Sequence, residues 1–211
     1  MNWKKELLQN FKLYAITDLK TFDPKFPERV EQAFRGGVDI IQLRSKELPD
    51  VRFLEIGRII RMIAEKRRKL FFVNDRVDLA IILKADGVHL GQDDLPIVAA
   101  KKLMGKNKLF IGRSTHSLAQ ASQAEKEGAD YIGFGPIFTT PTKPTYRPIG
   151  FENIAMLKRV TKIPFVCIGG IDESNVDQLL CAGAERIAVV RAIFDQVDTF
   201  RAAQRLKEKL T

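Results

Sequence analysis

Eight short apolar runs alternate with longer amphipathic segments along 211 residues, and that alternation predicts an α/β chain closed as a (β/α)8 TIM barrel. Two further observations favour closure over an open sheet. The strand candidates read as nearly continuous apolar, β-branched runs, as parallel strands do when helices cover them. No GxGxxG fingerprint follows the first run, as a doubly wound dinucleotide fold would require. Closure also leaves no strand edge exposed.

The units follow in order as strand then helix: 13–17 and 27–35, 40–43 and 51–66, 70–73 and 76–83, 87–90 and 96–103, 109–112 and 118–127, 131–135 and 151–160, 164–168 and 175–182, 187–190 and 199–209. The second helix shows the 3.6-residue period most clearly, with Phe53, Leu54, Ile56, Ile59, Ile60 and Ile63 on one broad face. Gly128-Ala129-Asp130 and Gly183-Ala184 precede strands and read as a recurrent helix-to-strand turn with a structural role. No linker or composition break divides the chain, so residues 1–211 are expected to form a single domain, with 1–10 as a short helical extension.

Composition narrows the function. Hydrophobic residues make up 45% and charged residues 29%, which supports a sizeable core and excludes wholesale disorder. Lys and Arg number 35 against 26 Asp and Glu, a formal +9, so the partner should be an anion: nucleic acid, acidic lipid or a phosphorylated small molecule. No apolar run reaches the roughly 18 residues that span a bilayer. Residues 1–10 mix Lys4, Lys5 and Glu6 with Leu7 and Leu8 and lack the apolar stretch of a secretion signal. Cys167 and Cys181 lie 14 apart with no CxxC and read as two small buried thiols in a reducing compartment. A cytoplasmic location is expected.

A barrel carries its site at the C-terminal ends of the strands. After the second strand run, Gln42, Arg44 and Lys46 alternate onto one side, giving an amide and two cations. Asp75 follows the third strand and Asp94 the fourth. Adjacent strands lie about 4.8 Å apart, so the two carboxylates can face one another. Mg²⁺ between them would relieve their repulsion; helix capping is the other reading of each. After the sixth strand comes a hydroxyl-rich loop, residues 135–144, with one lysine, Lys143, suited to oxyanions. Gly169-Gly170 lets backbone approach a ligand closely, and Val190-Arg191 follows the eighth strand, where barrels commonly bind phosphate. His89 sits within a strand and reads as packed core. His116 lies at the mouth, where it is a surface residue, a cap partner or an acid/base.

These motifs, taken in order, resemble the thiamine phosphate synthase family. The resemblance runs from Tyr14 to Ile193 and rests on QLRSK (residues 42–46), ND (74–75), ADGVHLGQDD (85–94), STH (114–116), GPIFTTPTK (135–143) and IGGI (168–171). It implies an enzyme that joins a hydroxymethylpyrimidine diphosphate to a hydroxyethylthiazole phosphate. It also implies that Gln42, Leu43, Arg44, Ser45, Lys46, Asn74, Ser114 and Lys143 bind the pyrimidine diphosphate. Arg44, Lys46, Ser114 and Lys143 would be the catalytic set, and Asp75 and Asp94 would hold Mg²⁺. Thr140, Pro141, Thr142, Gly170, Val190 and Arg191 would bind the thiazole phosphate. The family chemistry is dissociative: diphosphate leaves, and the thiazole nitrogen captures a pyrimidine methylene cation. Cations suit such a leaving group, and a ring nitrogen without a proton needs no general base. No Ser/His/Asp triad is evident.

Two departures stand out. Arg191 occupies a position where the family commonly has Ser, and Arg113 one where an aliphatic residue is usual. The string Gly-Arg-Ser-Thr-His-Ser is similar to that of the thiazole tautomerases, in which this loop histidine is the acid/base, so a tautomerase using His116 is the nearest alternative. Retention of Asn74, Asp75, Asp94 and Lys143 favours the synthase. A basic nucleic-acid-binding module is the alternative of a different class. Its best support is Lys66-Arg67-Arg68-Lys69, but that run closes a helix, where cations suit the dipole, and no RNP-like or helix-turn-helix motif accompanies it. The expected partners are therefore phosphorylated small molecules, not nucleic acid or a membrane, with a homodimer as the candidate assembly.

Overall fold

The computed structural model describes residues 3–21, 23–140 and 147–211. Its strands are β1 (Leu13–Ile16), β2 (Ile40–Leu43), β3 (Leu70–Asn74), β4 (Gly87–Leu90), β5 (Phe110–Thr115), β6 (Tyr131–Phe134), β7 (Phe165–Ile168) and β8 (Ile187–Val189). All pair in parallel, in sequence order, and β8 closes onto β1 through Leu13 opposite Ile187. Helix α1 (Trp3–Asn10) precedes the barrel. Around it run α2 (Phe26–Arg35), α3 (Asp50–Arg67), α4 (Val77–Ile82), α5 (Ile97–Met104), α6 (Leu118–Glu127), α7 (Ile154–Val160), α8 (Val176–Cys181), α9 (Arg191–Phe194) and α10 (Thr199–Lys209). Among the described residues no helix is long and apolar enough to cross a membrane.

Strand alternation divides the core in two. Outward residues such as Ile41, Phe71, Val88, Ile132 and Ile187 pack against the helices, meeting Val30, Phe34, Ile56, Ile60 and Leu79. Inward residues form a second cluster, with Tyr14, Ile40, Leu70, Phe72, Tyr131 and Val166 filling the lower barrel. Phe11, just past α1, stands edge-on to Tyr14 and Tyr131 at 6.0 and 6.1 Å between ring centroids. Together with Leu8 it stoppers the N-terminal end. The aromatic layer leaves the upper barrel as the space in which inward polar residues can meet a ligand.

The recurrent turn before the strands proves to be an anchor. Asp39, Asp86 and Asp130 stand immediately before β2, β4 and β6, and each accepts the backbone N–H of the preceding odd strand: Leu13 at 3.2 Å, Phe71 at 2.9 Å and Ile111 at 2.7 Å. Asp39 also accepts from Lys12 N and is bridged by Lys69 and Lys207, each at 2.7 Å. Burial alone would raise this carboxyl, but the charge of Lys69 and the hydrogen bonds from Lys207, Lys69 and Lys12 hold it below its usual range. A depressed folded pKa means that the contribution is complete above the unfolded value near 4 and is lost as pH falls through the folded value. Asp39→Asn should therefore cost about 3 kcal/mol near neutral pH. Denaturant titrations should show that deficit shrinking below about pH 4; a deficit that is constant with pH would contradict the ionic account.

Three expectations need correction. The fifth strand runs on to Thr115 instead of ending at Gly112, because that glycine sits inside the ladder, paired with Tyr131. A short helix, α9, follows β8; four residues are too few to carry a helical period. Cys181 is exposed on α8, whereas Cys167 is buried on β7, where burial pushes its thiol up to about 12 and leaves it inert at neutral pH.

Candidate active site

At the C-terminal end of the barrel lies a cavity of about 260 Å³. One wall comes from β2 to β5 and the turns that leave them: Gln42, Arg44, Asn74, His89, Ser114 and His116. The other comes from β6 to β8 and their loops: Gly135, Thr140, Gly169, Gly170, Val190 and Arg191. The inward parity that fills the bottom of the barrel places these polar groups two residues higher: Ile40 then Gln42, Phe72 then Asn74, Gly87 then His89.

Arg44 is buried although charged. It ion-pairs with Asp18, and its backbone is pinned by Thr17, whose Oγ1 accepts from Arg44 N at 2.8 Å and donates to Arg44 O at 2.9 Å. That anchoring holds Arg44 in the cavity wall. Lys46 does not join it: β2 ends at Leu43, alternation stops there, and Lys46 stands exposed outside the cavity lining. Ser45 shapes that turn, donating to Leu19 O at 2.6 Å and accepting from Leu48 N at 2.9 Å. The Leu43 side chain points the other way, into the helix-facing core. Of the QLRSK stretch, Gln42 and Arg44 are thus the two side chains that line the cavity.

The carboxylates do meet. Asp94 neighbours Asp75; burial first, then the Asp94 carboxylate beside it, push Asp75 up to about 7, opposed by Asn74 and by the nearby Arg44. Neither aspartate caps a helix. The cap positions of α4 and α5 are Arg76 and Pro96, without side-chain caps, and Asp94 accepts instead from Gly91 N at 2.6 Å. Asp75 sits at φ 59°, a left-handed conformation rare for a non-glycine residue. A tight turn holds it there, with Arg76 N donating to Asn74 O at 2.6 Å and Asp75 N to His89 O at 2.8 Å. Backbone strain of this kind concentrates at functional sites.

Arg113, which parity turns outward, is accounted for by the same loop. Its guanidinium donates to Leu95 O and Gln92 O, both at 3.3 Å, and so braces the segment that carries Asp94 against β5. Gln92 adds a hydrogen bond to Ser114 O.

His89 does more than its reading as packed core implies. It is buried, as expected, but it also lines the cavity, between Tyr131 OH at 2.8 Å from Nδ1 and Ser114 Oγ at 2.9 Å from Nε2. Two inward glycines on the next strands, Gly112 opposite it on β5 and Gly133 on β6, were the available signal for an interior crowded by rings. His116 also lines the cavity; its Nδ1 donates to Gly135 O and its backbone N–H donates to Gln120 Oε1 at 2.7 Å. The cap of α6 is Ser117, not His116.

On the opposite wall Gly170 has φ 66°, and a Cβ there would lie 2.5 Å from Thr139 O. Only glycine lets this backbone run along the cavity. Thr140 is buried beside it, whereas Arg191, at the start of α9, is exposed at the rim. Pro141, Thr142 and Lys143 lie outside the described residues.

Comparison with known proteins agrees with this architecture. A family model described as thiamine monophosphate synthase matches residues 13–193. The thiamine-phosphate synthase of Pyrococcus horikoshii is 43% identical over 98% of this chain and 96% of its own length. That of Gloeobacter violaceus is 46% identical over 94% of this chain. The chain spans 57% of that relative's length and 59% of the corresponding Synechococcus and Prochlorococcus marinus proteins. Among solved structures, the thiamine phosphate pyrophosphorylase from Pyrococcus furiosus superposes with a TM-score of 0.87 at 40% identity, covering 97% of both chains.

Proposed function

The chain belongs to the thiamine monophosphate synthase family, and from that premise we propose that it couples 4-amino-2-methyl-5-hydroxymethylpyrimidine diphosphate with 4-methyl-5-hydroxyethylthiazole phosphate, releasing thiamine phosphate and diphosphate. The observation that carries this reading is the Asp75–Asp94 pair beside Arg44 and Asn74. Two neighbouring carboxylates that cap no helix form a donor set suited to a hard divalent cation completed by phosphate oxygens. They would hold Mg²⁺, whose chemistry here is neutralisation of charge on a departing diphosphate.

The chain's own residues supply the rest. Arg44, preorganised by Asp18 and Thr17, faces the diphosphate together with Asn74 and Ser114. The bond between the pyrimidine methylene carbon and the diphosphate oxygen breaks with its electron pair on oxygen, where fixed positive charge is worth most. The thiazole nitrogen then closes the new C–N bond with its own lone pair, and no proton has to be removed. The resemblance assigns Lys46 and Lys143 to the same diphosphate; Lys46 would have to swing in from solvent. Gly170, Thr140 and the Val190–Arg191 backbone line the opposite wall, to which the resemblance assigns the thiazole phosphate. The Pyrococcus horikoshii and Gloeobacter violaceus relatives are both named thiamine-phosphate synthases, which favours the synthase reading.

The deciding experiment incubates the purified chain with both substrates and Mg²⁺. Thiamine phosphate should accumulate in step with diphosphate and stop when a chelator is added. Absence of thiamine phosphate, with His116-dependent isomerisation of a thiazole carboxylate phosphate in its place, would favour the tautomerase.

A further inference from the structure

Four hydrogen bonds run unbroken across the barrel between two residues of the cavity wall. Gln42 Nε2 donates to Tyr14 OH at 2.8 Å, Tyr14 OH meets Tyr131 OH at 3.0 Å, Tyr131 OH meets His89 Nδ1 at 2.8 Å, and His89 Nε2 meets Ser114 Oγ at 2.9 Å. Donor accounting gives this chain one direction. An amide nitrogen only donates, so it occupies an acceptor site on Tyr14. The Tyr14 proton then goes to Tyr131, and the Tyr131 proton to His89 Nδ1. A neutral imidazole that accepts at Nδ1 carries its proton on Nε2 and donates to Ser114. The reverse direction would aim the Tyr14 proton at an amide nitrogen that is itself a donor. Burial pushes both phenols well above their ordinary values, so each keeps the proton that the chain requires.

We propose that this relay sets the polarity of the site, with Tyr14, Tyr131 and His89 as positioning residues that hold the Ser114 hydroxyl as a donor and the Gln42 carbonyl as an acceptor toward the cavity. The pair suits a ligand that offers an N–H to Gln42 and a lone pair to Ser114. An aminopyrimidine diphosphate has both, whereas an analogue with an oxo group in place of the amine offers Gln42 an acceptor against an acceptor. The ligand rests on the proposed synthase function; the direction of the relay does not.

The test has two readings. On the free protein labelled with ¹⁵N-histidine, the imidazole shifts should show His89 neutral and protonated at Nε2, with Tyr131→Phe giving a mixture of tautomers. In steady-state kinetics Tyr131→Phe keeps the ring but removes the link, and kcat/KM for the pyrimidine diphosphate should fall about tenfold. The KM for the thiazole phosphate should stay put. A wild-type His89 protonated at Nδ1 or on both nitrogens overturns the relay, even if the variant fails to fold. A tautomer change without the kinetic loss, or the loss without the tautomer change, overturns the positioning role. Failure of the wild type to make thiamine phosphate would count against the proposed function alone, because the tautomer is read without any ligand.

Discussion

Asp75→Asn should lower Mg²⁺-dependent turnover at least about a hundredfold while leaving the unfolding free energy unchanged or raised by about 1 kcal/mol. The two effects have opposite signs because Asp75 serves the site at the expense of the fold. Its backbone is left-handed at φ 59°, a conformation that Asn tolerates better than most residues. Its carboxyl is half-buried beside that of Asp94, and burial and that neighbour together disfavour the charged form. An amide there keeps the shape, removes one of the two like charges and can donate to Asp94. What it cannot do is complete a pair of anionic oxygen ligands, so any charge neutralisation at the departing diphosphate is lost. Chemical denaturation with and without Mg²⁺ separates the two roles. Mg²⁺ should stabilise the wild type by mass action and leave Asp75→Asn unmoved. Equal stabilisation of both proteins, or a variant that retains full turnover, would contradict the metal assignment.

The same residues show how far a sequence can be read in this fold. The barrel was legible because parallel strands buried on both faces become apolar runs, and a count of such runs gives the closure. The inward place of Gln42 was legible because strand parity holds while the strand lasts; Asn74 and Ser114 lie past the apolar runs at 70–73 and 109–112, and only the family resemblance brought them to the site. Lys46 marks where that rule ends: past Leu43 the chain turns, the two-residue period is gone, and the side chain faces solvent. The role of Arg113 was not legible from a single strand, since its partners, Leu95 O and Gln92 O, belong to the loop of a neighbouring unit. The contact between Tyr14 and Tyr131 joins positions 117 residues apart, and no local pattern announces it. His89 shows the deepest limit, for burial in the core and service at the site are one and the same in a barrel whose interior is also its floor.

Gly112 lies within β5 and does not end it, and its role there yields a stability effect as large as that of Asp39→Asn. A Cβ at that position would lie 2.2 Å from Tyr131 Cζ and 2.4 Å from its hydroxyl oxygen. Tyr131 has nowhere to retreat. Its ring is fully buried, with Phe72, His89, Tyr14 and Phe11 between 5.5 and 6.1 Å away by ring centroid. Glycine weakens a strand by its own entropy, so its presence in the middle of β5 has a packing reason: it is the gap through which Tyr131 crosses the barrel. Gly112→Ala should thus cost about 3 kcal/mol, the upper end of ordinary overpacking, and should also displace the phenol that links Tyr14 to His89. Gly133→Ala is the internal control. It is the next inward glycine, on β6, but its added Cβ would come no closer than 3.3 Å, to His89 Cε1, so a cost below about 1 kcal/mol is expected. Urea titrations of the two variants give the comparison directly. Equal costs would mean that the penalty comes from the glycine backbone, and the account of Gly112 as room for Tyr131 would fall.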